Sequence, residues 1–345
     1  MAYSPGRPDL ASAALRGSVV AASDDFFAER FNLIKPEAPV FQPRTFGPRG
    51  QIYDGWETRR RHSPDGTLPG PDAHDWVVVR LGAPCVVREV VVDTAFFTGN
   101  YPQACSVQAA ALPGYPGPAD LDGVTWTQIV PRQPLAGDRE HVFEAAGPAR
   151  RYTHVRLNIF PDGGVARLRV RGEVVPDPAL VAGLTVDLAA LELGADVADC
   201  SDHYFGAPRN ALSPGLPAVM GDGWESRRRR DAGHDWLIVR LAAAGVVRLA
   251  GIDTLHYKGN APGAASLSGI DTRRAPLTDA SAWSVLLPRT PLQPDTDHRF
   301  LVDGGEATHV RLDIFPDGGV ARLRLFGSVS ADGQAALERR WRQTG

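Results

Sequence analysis

The word Asp54-Gly55-Trp56-Glu57-Thr58-Arg59-Arg60-Arg61, followed by His74-Asp75-Trp76, returns downstream as Asp222-Gly223-Trp224-Glu225-Ser226-Arg227-Arg228-Arg229 and His234-Asp235-Trp236. A chain that writes one charged constellation twice must solve one folding problem twice. The duplication is wide. Ser23-Asp24 recurs as Ser201-Asp202, Asp93-Thr94 with Gly99-Asn100 as Asp253-Thr254 with Gly259-Asn260, and Phe160 to Leu168 as Phe315 to Leu323. The repeats are read over 9–177 and 186–329, with 330–345 as a helical tail.

What both copies keep is expected to serve something both copies need. Trp56 pairs with Trp224, Trp76 with Trp236 and Trp126 with Trp283, and rings of this size are read as the aromatic centre of each core. His74 pairs with His234, His141 with His298 and His154 with His309, whereas Cys85, Cys105 and Cys200 have no counterparts. Three cysteines without CxxC spacing argue against a disulfide framework or a structural zinc site and for a reducing compartment. A net charge of −3 lacks the basic character of a nucleic-acid binder. The first residues carry no apolar leader, and no apolar run is long enough to span a bilayer. A soluble, cytoplasmic protein is expected, with no nucleic-acid or membrane partner.

Short apolar runs separated by Gly, Pro and Asp dominate, as in Trp76 to Leu81, Val86 to Val92 and Thr153 to Ile159. These are strand signals. Their regular recurrence predicts an all-β chain of two antiparallel sandwiches. Pro178 to Leu193 and Ala331 to Gln343 are the two helix candidates, the latter with Leu337 and Trp341 on one face. Trp341, which has no partner in the first repeat, is a candidate to cover an edge or meet a neighbouring subunit, and association into a homo-oligomer is expected.

An Asp-Gly turn before Trp, then Trp-x-Val-x-Leu, a Val-rich strand and Arg167-Leu168-Arg169-Val170 resembles the galactose-binding-like, discoidin-like jelly roll. In that fold, ligands meet loops at one end of the sandwich. The doubled Asp-Gly-Trp-Glu-Thr/Ser-Arg-Arg-Arg with His-Asp-Trp, together with Phe31-Asn32-Leu33-Ile34-Lys35-Pro36 and Thr98-Gly99-Asn100-Tyr101-Pro102, resembles the allantoicase (allantoate amidinohydrolase) family over nearly the whole chain. That resemblance implies hydrolysis of allantoate to urea and (S)-ureidoglycolate. The alternative left by fold alone is a non-catalytic tandem carbohydrate-binding or interaction module.

Allantoate carries a carboxylate and two ureido groups on one carbon, so its hydrolysis needs anion binding, proton transfer and acceptors for ureido N–H groups. Arg59, Arg60, Arg61, Arg227, Arg228 and Arg229 can supply guanidinium forks. Glu57, His74, Asp75, Glu225, His234 and Asp235 can supply acid, base and acceptors. In an extended segment Glu57, Arg59 and Arg61 share one side, opposite Thr58 and Arg60. The competing reading is that each Arg run is an ion-pair network bracing a loop. His74-Asp75 and His234-Asp235 equally fit strand caps, and adjacent strand residues do not face each other. Asn100 and Asn260 fit either a ureido contact or a turn. His256 and Lys258 have no equivalents in Phe96 and Thr98, and they carry the case for chemistry specific to one repeat. Phe96 and Ala261 depart from the family's pattern. His154 and His309 are read as satisfied core residues, His141 and His298 as surface residues, and Asp162 and Asp317 as turn residues. No HExxH, GxSxG, P-loop or strand-placed GxGxxG occurs, and metal-independent chemistry without a cofactor is expected.

Overall fold

A strand of 19 residues, Asp75–Asp93, organises the first half of the chain. In the computed structural model, which describes residues 6–345, one compact unit holds Arg7–Val174 with the last two residues, and another holds Val175–Gln343. Within the first unit, the start of this strand pairs antiparallel with Ser18–Ala22 and Arg151–Phe160. Its end pairs with Glu140–Glu144 and Arg167–Val174. The pairing with Arg151–Phe160 shifts register between Arg80 and Cys85. Two apolar runs, interrupted by Gly82-Ala83-Pro84, are thus one bent strand serving both layers of a jelly-roll sandwich. Ala104–Ala110 and Thr127–Pro134 extend the first layer beyond Arg151–Phe160.

Burial follows the strand period. Val77, Val79, Val90 and Val92 are fully buried with Val155, Leu157, Ile159, Leu168 and Val170, so both layers turn their apolar faces inward. Trp56 is wholly buried and donates its indole N–H to the Asp24 carbonyl at 2.7 Å. Among the described residues, Trp56 and its counterpart Trp224 are the tryptophans that sit in a core. Trp76, Trp236, Trp126 and Trp283 are half-buried, because Trp76 and Trp236 fall on the opposite side of their strand from the core residues. There the guanidiniums of Arg156 and Arg311 lie 4.9 and 4.8 Å from their ring centres.

The second unit repeats the plan around Asp235–Asp253, another 19-residue strand, paired with Asp196–Cys200, Asp297–Leu301, Ala307–Phe315 and Arg322–Val329. Pro178 to Leu193 is not a helix. It holds two short 3-10 turns flanking the strand Thr185–Asp187, which pairs with Arg322–Val329. Left-handed Gly183 interrupts any helical run within the segment, and Asp187 instead accepts the backbone N–H groups of Leu325 and Ala189. Ala331–Gln343 is α-helical. Its N-cap Ser330 accepts from Gly333 N at 3.1 Å, and Leu337 is buried on its inner face. No helix among the described residues is long and apolar enough to cross a membrane.

Candidate functional site

A two-residue strand sets up the charged cluster in each unit. Trp56–Glu57 pairs with Gly164–Val165, and Trp224–Glu225 with Gly319–Val320. The pairing depends on a close approach: a Cβ on Gly164 would lie 2.0 Å from the Phe97 ring, and one on Gly319 would lie 1.9 Å from Tyr257. Thr58 and Ser226 turn inward and are buried, their hydroxyls accepting from Gly163 N and Gly318 N at 3.2 Å. The residues on either side then project outward, as the alternation of an extended chain requires.

In the first unit, Arg61 donates through Nη2 to Asp75 Oδ1 at 2.7 Å and through its backbone N–H to Asp162 Oδ2 at 2.8 Å. Asp75 is buried and also accepts from Ser23 Oγ at 2.8 Å. Arg59 is held by Asp24, which accepts from its backbone N–H at 2.7 Å and its Nε at 2.8 Å. Against the opposing pull of partial burial, the Arg59 hydrogen bonds hold Asp24 below the ordinary carboxylate range. Asn100 Nδ2 donates to Glu57 Oε1 at 2.8 Å. Burial pushes Glu57 up, and the Asn100 bond only partly offsets this. The Asn100 carbonyl also accepts from Gly164 N at 2.7 Å, so this residue shapes its turn and contacts the acid as well.

The second unit keeps the framework and alters its charge balance. Arg229 donates to Asp235 Oδ1 at 2.7 Å, to Asp231 at 2.9 Å, and by its backbone to Asp317 at 2.7 Å. Asn260 reaches Glu225 at 2.6 Å. Arg227 takes its backbone bond to Asp202 at 2.7 Å, and its guanidinium lies over Tyr204, 4.5 Å from the ring centre. An open cavity of about 660 Å³ is lined by Ser201, Asp202, Tyr204, Arg227 to Asp231 and Asp235. Asp235 is 1% exposed and accepts from Ser201 Oγ at 2.9 Å, yet its Oδ2 is buried without a hydrogen-bond partner among the described residues.

The remaining sequence candidates separate. Arg60 projects from the surface, and Arg228 is likewise exposed although it lines the cavity; neither has a hydrogen bond or ion pair to described residues. His256 is left-handed, with φ 70°; its ring Nε2 lies 3.1 Å from the Pro217 carbonyl and its backbone N–H reaches Asp295. Lys258 also extends toward Asp295, at 3.7 Å, and is largely exposed. Neither is joined by a hydrogen bond to Arg229 or Asp235. His74 and Asp75 have separate partners: His74 Nδ1 lies 2.9 Å from the Asp72 carbonyl, with its ring 5.3 Å from that of Phe160. His234 Nε2 lies 2.9 Å from Asp313 Oδ1, and its ring is 4.6 Å from that of Phe315.

Other histidines depart from expectation. His141 and His298 are half-buried braces rather than free surface groups. Their Nε2 atoms accept from Ala136 N and Gln293 N, and their Nδ1 atoms face the carbonyls of Val92 and Ile252. His154 is only half satisfied: Nδ1 meets Thr153 Oγ1 at 2.8 Å, and Nε2 is buried without a partner among the described residues. Sequence reasoning passed over the roles of Ser23, Asp24, Ser201 and Asp202, although their recurrence in both repeats was a visible signal. Asp313 gave none, because its counterpart is Asn158. Among the described residues, no three His, Cys, Asp or Glu side chains gather as a metal site requires.

The chain matches the family model described as the allantoicase repeat at residues 8–175 and again at 186–330. It is 54% identical over 326 residues to a probable allantoicase of Nocardia farcinica, covering 93% of this chain and 94% of that one. It is 49% identical to a probable allantoicase of Streptomyces coelicolor, covering 98% and 89% of the two chains. The fold is similar to the crystal structure of allantoicase from Saccharomyces cerevisiae, with a TM-score of 0.76, 32% identity, and coverage of 93% and 92%.

Proposed function

This chain belongs to the allantoicase family, and from that premise we propose that it hydrolyses allantoate to urea and (S)-ureidoglycolate in purine degradation. The observation that carries the reading to particular atoms is the unpartnered Asp235 Oδ2 beside Arg229, in a cavity also lined by Arg227, Arg228 and Arg230. A diureide acid is complementary to that set. Guanidiniums accept its carboxylate through paired N–H donors, and a buried carboxylate oxygen lacking a hydrogen bond has much to gain from a ureido N–H.

Glu225 with Asn260, and Glu57 with Asn100, add an acceptor just ahead of each Arg run and an amide donated to it from a separate loop. Burial raises Glu57, which favours a carboxyl able to hold a proton for a poorly basic leaving nitrogen. Arg59 and Arg61 form the equivalent anion-binding group of the first repeat. His256 and Lys258 take a supporting place at the loop that carries Asn260. The reading includes a cytoplasmic homo-oligomer acting on a small molecule, a setting supported by three free cysteines.

Purified protein incubated with allantoate releases urea. Arg227→Ala, which removes a mostly exposed guanidinium, leaves the fold intact and raises KM by roughly tenfold, the loss of about 1.4 kcal/mol of anion binding. A folded wild-type protein that leaves allantoate intact overturns the assignment.

A further inference from the structure

We propose that the two repeats have diverged into unlike sites, and that His234, oriented by Asp313, moves the proton in the second repeat. This rests on the allantoate reading and gives that reaction a location. His234 is not itself among the residues lining the Arg-rich cavity; it immediately precedes Asp235, which is, and its ring lies against Asp313 and Phe315.

The two equivalent histidines are held in opposite ways. His234 Nε2 faces a carboxylate, Asp313 Oδ1, at 2.9 Å. A carboxylate can only accept, so the neutral ring carries its hydrogen on Nε2 and leaves the Nδ1 lone pair free. No hydrogen bond from a described residue occupies that Nδ1. Arg311 Nε donates to the same Asp313 oxygen at 2.8 Å, fixing the carboxylate, and Phe315 packs against the imidazole with Arg289 4.2 Å from its ring centre.

In the first repeat, the residue opposite Trp76 is Asn158, where Asp313 stands opposite Trp236. Asn158 Nδ2 turns to Ser106 and Gln108, each at 3.2 Å. His74 instead puts Nδ1 on the Asp72 carbonyl at 2.9 Å. A carbonyl also only accepts, so His74 carries its hydrogen on Nδ1 and has no carboxylate behind the ring. Asp72 lies in a connection longer than the one joining Arg229 to His234. Two local changes, Asn for Asp and a longer loop, thus reverse the tautomer.

The second repeat accordingly has a base backed by a carboxylate. Water gives a proton to His234 Nδ1 as its oxygen bonds to the carbon bearing the ureido groups. The C–N electron pair leaves with the ureido nitrogen, which takes that proton from Nδ1, so neutral urea departs and the ring returns to its starting state. Asp313 is a positioning residue: it steadies the imidazolium and fixes which nitrogen faces the reaction.

Asp313→Ala removes the acceptor, and Asp313→Asn retains a neutral one. With the fold verified by circular dichroism and melting, Asp313→Ala lowers kcat for urea release by roughly 10²-fold or more while KM for allantoate stays within about threefold. Asp313→Asn recovers part of the loss. Nitrogen-15 spectra of neutral His234 show the hydrogen on Nε2 in the wild type and a mixture of tautomers in Asp313→Ala. A kcat within about threefold of wild type in folded Asp313→Ala, or wild-type His234 protonated on Nδ1, overturns the proposal. If the wild type releases no urea at all, the substrate reading falls, and the nitrogen spectra alone decide whether Asp313 sets the tautomer.

Discussion

Lowering the pH should weaken the fold through His154, and the structure sets the size of the effect. This imidazole is 1% exposed, and burial, reinforced by nearby Arg80, pushes its pKa from the ordinary 6.5 down to about 4. Unfolded chains take up the proton near 6.5, whereas the folded protein resists it until about 4. The neutral ring therefore opposes folding not at all above the unfolded value and increasingly as pH falls through that window. Each pH unit inside the window costs about 1.4 kcal/mol, so descent from pH ~7 to ~4.5 removes roughly 2 kcal/mol of stability at this residue. Buried Asp9, Asp93, Asp187 and Asp253, all raised by burial, act in the opposite direction, so the wild-type pH profile alone is a sum. His154→Gln removes one contributor and leaves the rest. Urea denaturation of both proteins should give a stability difference that shifts by about 2 kcal/mol in favour of the variant between pH ~7 and ~4.5. A difference that stays constant across that range would falsify the assignment of His154 as a buried neutral group.

Gly164→Ala drives a methyl into Phe97 and should cost roughly 1–3 kcal/mol in urea melts, with Phe97→Leu in the same chain recovering part of it; additive costs would sink that contact. Arg167 is 1% exposed and donates to Asp54 Oδ2 at 2.7 Å and to the carbonyls of Asp54 and Glu37. Arg167→Met strands those acceptors and should destabilise by about 3 kcal/mol, whereas a melt unchanged from wild type would show the network to be dispensable. Burial pushes Cys85 and Cys105 up to about 12, so a thiol reagent at pH ~8 should react with them only after denaturant is added. Rapid native labelling of either would contradict their placement.

The sequence by itself determined the duplication, the strand-rich class and the placing of Glu57, Arg59 and Arg61 on one side of an extended segment, because repetition and period-2 alternation are local patterns. Alternation also separated Thr58 from Glu57 and Arg59, but that Thr58 is the one turned inward was decided by the tertiary structure. Only the tertiary structure decided that Trp76 to Leu81 and Val86 to Val92 are one strand. A bend through Gly82-Ala83-Pro84 resembles a loop until the partners on either side are known. Pro178 to Leu193 had enough apolar spacing for a helix, but Thr185–Asp187 found an exposed strand edge whose hydrogen bonds outweigh weak local propensity. The difference between His74 and His234 was hidden most deeply. Both stand in the same His-Asp-Trp word, and what separates them is a partner 79 residues away in one case and a carbonyl two residues away in the other. A tautomer is chosen by whichever acceptor the fold brings within 3 Å, and a linear sequence carries no distances.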